Sequence, residues 1–220
     1  MANLGVRLPA VGVRSGGFLP AMNKTQRPTS RHRLLALALL AAVPLSAGGN
    51  LGGGPAVRPA SDWLAPGKPT LTLEAADEMA SAAVSECRSK GFKDISVYVL
   101  DAAGRTLVSK TMINVPNLIP TIAEAKAGAA IGTHSSSRSL KDKYVPDRTP
   151  QLLAMTTLGA SVQQPFAAVP GGVLCRDAES GAVIGAIGVS GASADEDEHM
   201  AIVGAQACGF KTEPATSALN

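Results

Sequence analysis

The 220-residue chain carries twenty Lys and Arg against seventeen Asp and Glu, with 45% hydrophobic and only 3% aromatic residues. Its charge is divided: residues 1–61 hold seven bases (Arg7, Arg14, Lys24, Arg27, Arg31, Arg33, Arg58) and no acid, leaving thirteen bases against seventeen acids, a formal charge of −4, on the remainder. Nucleic-acid binding needs bases clustered on the folded part, and scattered bases beside the acidic run Asp195-Glu196-Asp197-Glu198 exclude that class.

Inside the basic segment, Arg31-His32-Arg33 precede an apolar run, 34–43, and then the small residues Ser46-Ala47-Gly48-Gly49. Basic, apolar, small is the order of an export signal. The run is about ten residues, whereas a membrane-spanning helix needs about 20, so no permanent membrane anchor is expected. The Arg-bearing, acid-free stretch ahead of it has the composition of an organelle transit peptide. Residues 1–48 are thus expected to be a cleavable targeting leader. The preferred destination is the chloroplast, with onward passage to the thylakoid lumen. A start at Met22 would instead make it a bacterial signal peptide for periplasmic or secreted export.

Residues 49–69, rich in Gly, Pro and Ala, read as a linker. The folded domain is expected at 70–210, with a flexible tail at 211–220. Thr72 caps a helix whose Ala76, Met79, Ala83 and Cys87 share one face, with Gly91 as its stop. Residues 95–100 and 105–110 alternate about the turn Asp101-Ala102-Ala103-Gly104, a β-hairpin. Pro120 suits the first turn of a second helix, 122–131, so rich in Ala and Gly that it predicts tight packing on a sheet or a pocket wall. Residues 133–147 are polar and read as an exposed connection with room for one short helical turn, and 151–155 as a short apolar stretch. Strands follow at 173–176 and 182–189, the second apolar on both faces and therefore central. Ser193 and Glu196 match a capping box opening a last helix, 195–208. Helices alternating with tightly turned strand pairs specify an α+β fold with an antiparallel sheet.

Several motifs together resemble the GlcG/HbpS family, which includes haem-degrading proteins and relatives of the carboxy-terminal part of PduO. They are the opening Leu71-Thr72-Leu73-Glu74-Ala75-Ala76, the Val99-Leu100-Asp101-Ala102-Ala103-Gly104 turn, Ala125-Lys126-Ala127, and above all Pro170-Gly171-Gly172-Val173 with the tract Ile184-Gly185-Ala186-Ile187-Gly188-Val189-Ser190-Gly191. The resemblance spans residues 71–210. It implies a profilin-like antiparallel sheet flanked by helices, a small-molecule ligand, haem as the cofactor and assembly into homo-oligomers.

Haem asks for an apolar slot, a base for the propionates and usually an axial His, Cys, Met or Tyr. His134, near Arg138 and Lys141, is the candidate centre, an exposed loop histidine being the plain alternative. His199 is a second, expected to pair with Asp195 one turn before it, and Tyr98 and Tyr144 are further options. Lys126, embedded among Ala and Gly, is a candidate catalytic base or anion anchor, or else a snorkelling surface lysine. Gly191-Ala192-Ser193 before a helix either offers N–H groups to an anion or, better, serves turn and strand packing. The acidic run is read as a solvated face that suits the helix dipole. Cys87, Cys175 and Cys208 lack metal or redox spacing. Three readings stay open: an exported haem- or tetrapyrrole-binding protein with weak haem-degrading activity, an oligomeric enzyme or accessory protein acting on a small organic acid through Lys126 and Ser190-Gly191, or a structural assembly module.

Overall fold

The computed structural model describes residues 59–64 and 69–219; the expected leader, 1–48, and most of the expected linker lie outside these residues. Helix α1 (Leu73–Lys90) starts where Thr72 Oγ1 accepts the Ala75 N–H at 3.2 Å and stops at Gly91, left-handed at φ 67°. Its buried stripe runs Ala75, Ala76, Met79, Ala80, Ala83 and Cys87. The hairpin β1 (Ser96–Asp101) and β2 (Thr106–Thr111) follows. Then come α2 (Ile119–Thr133), α3 (Ser137–Tyr144) and α4 (Thr149–Ser161). The hairpin β3 (Gly172–Arg176) and β4 (Val183–Ser190) leads into α5 (Ala194–Ala207) and a short β5 (Lys211–Glu213).

The five strands form one antiparallel sheet in the order β2-β1-β4-β3-β5. Side chains alternate across it. Val97, Val99, Val173, Ile187 and Val189 face α1 and α5, packing with Met79, Ala83, Met200 and Ala205. Leu100, Leu174 and Ala186 face α2, against Ala127, Ala130 and Ile131. Because both faces are covered, β4 is buried almost throughout, which its unbroken apolar sequence required.

The Ala/Gly helix packs on the sheet for a steric reason. Gly172 and Gly188 are register partners on β3 and β4. A Cβ on Gly172 would stand 2.2 Å from the Lys126 carbonyl oxygen, and one on Gly188 would stand 2.1 Å from that of Ala123. The α2 backbone therefore lies directly on bare strand backbone.

Three elements depart from the sequence-based expectation. The stretch 133–147 contains an eight-residue helix, α3, capped by Ser136, whose hydroxyl accepts the Ser139 N–H at 3.2 Å; only Ser137 and Leu140 turn inward, too few to mark a period. The apolar stretch near 151–155 belongs to the thirteen-residue α4, which has no buried residue and hence no stripe to detect. Residues 211–213, expected in a flexible tail, pair with β3. Within the expected linker, Trp63 is buried against the α1 side of the core, held by Thr72 N–H donating to the Trp63 carbonyl at 3.2 Å. Among the described residues no helix is long and apolar enough to cross a membrane.

Candidate functional site

Two features meet around α2: a buried charge cluster on its sheet side, towards α5, and an open groove along its outer side. The close approach to Gly172 carries Lys126 inward to 2% exposure. Its Nζ donates to the Val189 carbonyl at 3.0 Å and to Asp197 Oδ2 at 2.8 Å. The other Asp197 oxygen accepts the Ala192 N–H at 3.0 Å. One turn beyond α2, Arg138 Nε donates to both oxygens of Glu198 at 2.7 and 2.9 Å, and its Nη2 pairs with Asp195. Burial raises the Asp197 carboxyl above its ordinary range, opposed by Lys126, and raises that of Glu198, opposed by Arg138.

The acidic run is accordingly no solvated face. Asp195 and Glu198, three apart on α5, present to one guanidinium, while Asp197 and Glu198 are buried. The Gly191-Ala192-Ser193 turn has its N–H groups committed internally. Ala192 donates to Asp197, and Ser193 donates to Glu196 Oε2 at 2.8 Å within the capping box. No anion cradle is left there. The polar atoms of Lys126 and Arg138 are likewise directed at α5.

His134 stands apart from this cluster. It is the C-cap of α2, left-handed at φ 52°, its backbone N–H donating to the Ala130 carbonyl. Its side chain is exposed and, among the described residues, makes no hydrogen bond or ion pair. Just before it, Gly128 and Gly132 open the outer face of α2 onto a groove with two lobes. One, of about 190 Å³, lies against α4 and is walled by Thr133, Met155, Leu158, Val162 and Phe166. The other, of about 290 Å³, reaches the β1–β2 turn past Glu124, Ile131, Gln163 and Gln164. Gly128, Gly132, Gln164 and Pro165 border both. Both of the expectations for α2, sheet packing and pocket wall, therefore hold on opposite faces. Met155, Glu124, Gln163 and Gln164 were not singled out from sequence. The spacing Glu124, Gly128, Gly132, every fourth residue on one helix face, was the available signal.

The other candidates have separate settings. His199 Nε2 lies 2.9 Å from Glu86 Oε1 on α1, with Phe92 edge-on to its ring, so its partner is not Asp195, which Arg138 engages. That hydrogen bond is the main reason the Glu86 carboxyl lies below its ordinary range. Tyr98 is half-buried on β1; the Tyr144 ring receives Lys143 Nζ at 5.2 Å and packs under α4 with Leu140 and Phe166. All three cysteines are buried, and burial pushes the Cys87 and Cys175 thiols up, away from reactive thiolate. Among the described residues no group of three or more His, Cys, Asp or Glu is arranged to hold a metal ion.

Comparison with known proteins agrees with this architecture. The crystal structure of HbpS matches with 29% identity over 66% of this chain and 94% of its own, at a TM-score of 0.53. A double mutant of Streptomyces reticuli HbpS matches with 27% identity over 77% and 99%, at a TM-score of 0.52. The crystal structure of a PduOC–haem complex, at 23% identity over 66% and 99% and a TM-score of 0.56, shares the fold. No protein of curated function matches the chain. The family model described as "Haem degrading protein HbpS-like" matches residues 71–206. With that match covering most of the chain and every strand of the sheet but the short β5, the protein belongs to the HbpS-like family.

Proposed function

We propose that the protein binds haem in the groove on the outer face of α2, where His134 would hold its iron. The observation that carries this reading is the His134 imidazole itself: exposed, without a hydrogen bond or ion pair among the described residues, and on a left-handed cap that directly follows Thr133, which lines the apolar lobe. The lobe beside α4 holds only about 190 Å³, so a haem would need both lobes of the groove. Leu158, Val162 and Phe166 supply an apolar wall, Gly132, with open space where a Cβ would be, lets a flat ring approach the helix, and the Met155 thioether is a soft donor within the lobe. Lys141 on α3 is exposed and has no acidic partner among the described residues, which leaves its ammonium for a propionate. Bound haem would supply a redox-active iron, and the weak haem-degrading activity we propose beside binding would depend on it.

In this reading Lys126 and Arg138 act at one remove. Their ion pairs to α5 hold α2 and α3 in place, and through them the cap that orients His134. The organic-acid alternative is disfavoured, because Lys126 is buried and committed and a Cβ at Gly191 would stand 2.3 Å from the Asp94 carbonyl, leaving no room beside Ser190. We further propose that residues 1–48 direct export, to the chloroplast and thylakoid lumen or, by the alternative start, to the periplasm; sequencing the mature amino terminus tests cleavage. Haemin titration followed at the Soret band tests binding. A saturable Soret shift at micromolar protein, weakened about tenfold or more in His134→Ala, is expected for loss of an iron ligand. No shift would end the haem reading, and unchanged affinity in His134→Ala would remove His134 as the ligand.

A further inference from the structure

The lobe of the groove beside the β1–β2 turn differs chemically from the one beside α4. From its lining and the state of its polar atoms, we infer that it is a binding site for a small ammonium compound, a short apolar body bearing a protonated amine, with Glu124 as the charge partner. Leu100 and Ile131 supply its apolar lining. Among the described residues no Lys, Arg or His lines it, and Glu124, half-buried on α2, has neither hydrogen bond nor ion pair.

The turn wall adds no donors. Ala102 N–H donates to Thr70 Oγ1 at 3.2 Å, Ala103 N–H to Asp101 Oδ1 at 2.9 Å, and Gly104 N–H to the Asp101 carbonyl at 3.0 Å. Arg105, the nearest base in sequence, is tied to the Asp101 carboxylate through Nε at 2.8 Å and Nη2 at 2.7 Å. The lobe also runs towards the carboxyl end of α2, whose dipole favours positive charge. The unpaired Glu124 carboxylate and the helix C-terminus favour a cation, and the turn offers no free N–H to an anion.

The remaining wall is held under strain. Gln163 has φ 57°, a left-handed conformation that a non-glycine residue holds only when its surroundings fix it. Gln164 N–H donates to the Gly159 carbonyl at 2.8 Å, and Pro165 O lies 2.6 Å from where a Cβ on Gly128 would be. The loop that carries both carboxamides is thus clamped between α2 and α4. The exposed carboxamides of Gln163 and Gln164 line the same lobe and can turn an oxygen to a second or third ammonium proton. The volume, about 290 Å³, is at the low end for ligand sites, which limits the occupant to a small molecule.

Nuclear magnetic resonance titration of the full chain with n-butylammonium chloride tests the site, with sodium butyrate and n-butanol in sodium chloride as comparators. Saturable shifts of the Gly104, Gly128 and Gly132 amides are expected with the ammonium alone. Affinity should fall about tenfold in Glu124→Gln, the scale of one charge-assisted hydrogen bond, and vanish in Gly132→Leu, which fills the lobe from a position with nothing within 4 Å of its Cβ. Butyrate or butanol matching the ammonium, no saturable shift at those amides, or wild-type affinity in Glu124→Gln would each overturn the inference. Haem and the ammonium would share Gly128, Gly132 and Gln164, so the variants separate the two readings: His134→Ala should weaken haemin alone, and Glu124→Gln the ammonium alone.

Discussion

Removing Lys126 is the sharpest test of the charge cluster. In Lys126→Met the long apolar stem is roughly kept while the ammonium is lost, leaving Asp197, 2% exposed, with its backbone N–H donor at Ala192 but no countercharge. Breaking a buried pair in this way costs about 3–5 kcal/mol, against a total of about 5–15 for a domain of this size. With a urea dependence of about 2 kcal/mol per molar, the unfolding midpoint should fall by about 2 M. The loss should also depend on pH. Burial already raises the Asp197 carboxyl and Lys126 opposes the rise, so without the lysine it climbs further. An acid whose folded value is raised is penalised above that value and not below its unfolded one. The deficit is therefore full at pH 8 and shrinks as the solution is acidified. Lys126→Met/Asp197→Asn, which keeps an acceptor for Ala192, should recover most of the stability at pH 8. Urea unfolding at pH 5.5 and 8, followed by circular dichroism, reads all three quantities. A single variant within about 1 kcal/mol of wild type at pH 8, or a deficit that Asp197→Asn leaves unchanged, would refute the assignment of Lys126 as a structural cation.

Two glycine substitutions should act in opposite directions. Gly188→Ala, whose methyl would stand 2.1 Å from the Ala123 carbonyl, should destabilise by about 3 kcal/mol or fold poorly. Gly132→Ala, helical and facing open space, should stabilise by up to about 1 kcal/mol; thermal unfolding of the pair checks both. Glu86, held below the ordinary carboxylate range by His199, contributes stability above the unfolded value that is lost as pH falls through the lower folded one. His199→Phe should flatten the stability profile between about pH 5 and 3, and an unaltered acid limb would show that the pair contributes nothing.

The sheet and its three long flanking helices were legible because each carried a pattern that burial enforces. Thr72 and Gly91 bracket α1, the hairpin strands alternate about Asp101 to Gly104, and Ser193 with Glu196 announces α5. What escaped had no such pattern. Helix α4 buries none of its residues, and β5 spans three residues whose only inward side chain is Thr212. The site was legible in part. His134 was noticed as a rare residue after the Ala/Gly helix, and its setting beside a groove depended on α4, which sequence did not reveal. Lys126 drew notice for its apolar neighbours. Those neighbours carry it into contact with an acid 71 positions away, a partner no local spacing discloses.

The bare glycine pair opposite α2 also determines how the strands can be matched. A slip of one residue between β3 and β4 would move every side chain of one strand to the other covered face, where its size no longer matches the helix packed there. A slip of two keeps every side chain on its proper face, so the alternating pattern cannot discourage it. It would, however, separate Gly172 from Gly188 and bring a side chain under the Ala123 or Lys126 carbonyl, where even a methyl carbon would be about 2 Å from oxygen. The helix thus acts as a gauge pressed onto the sheet: among alignments that keep each side chain on its own face, the native one sets two empty positions side by side beneath α2.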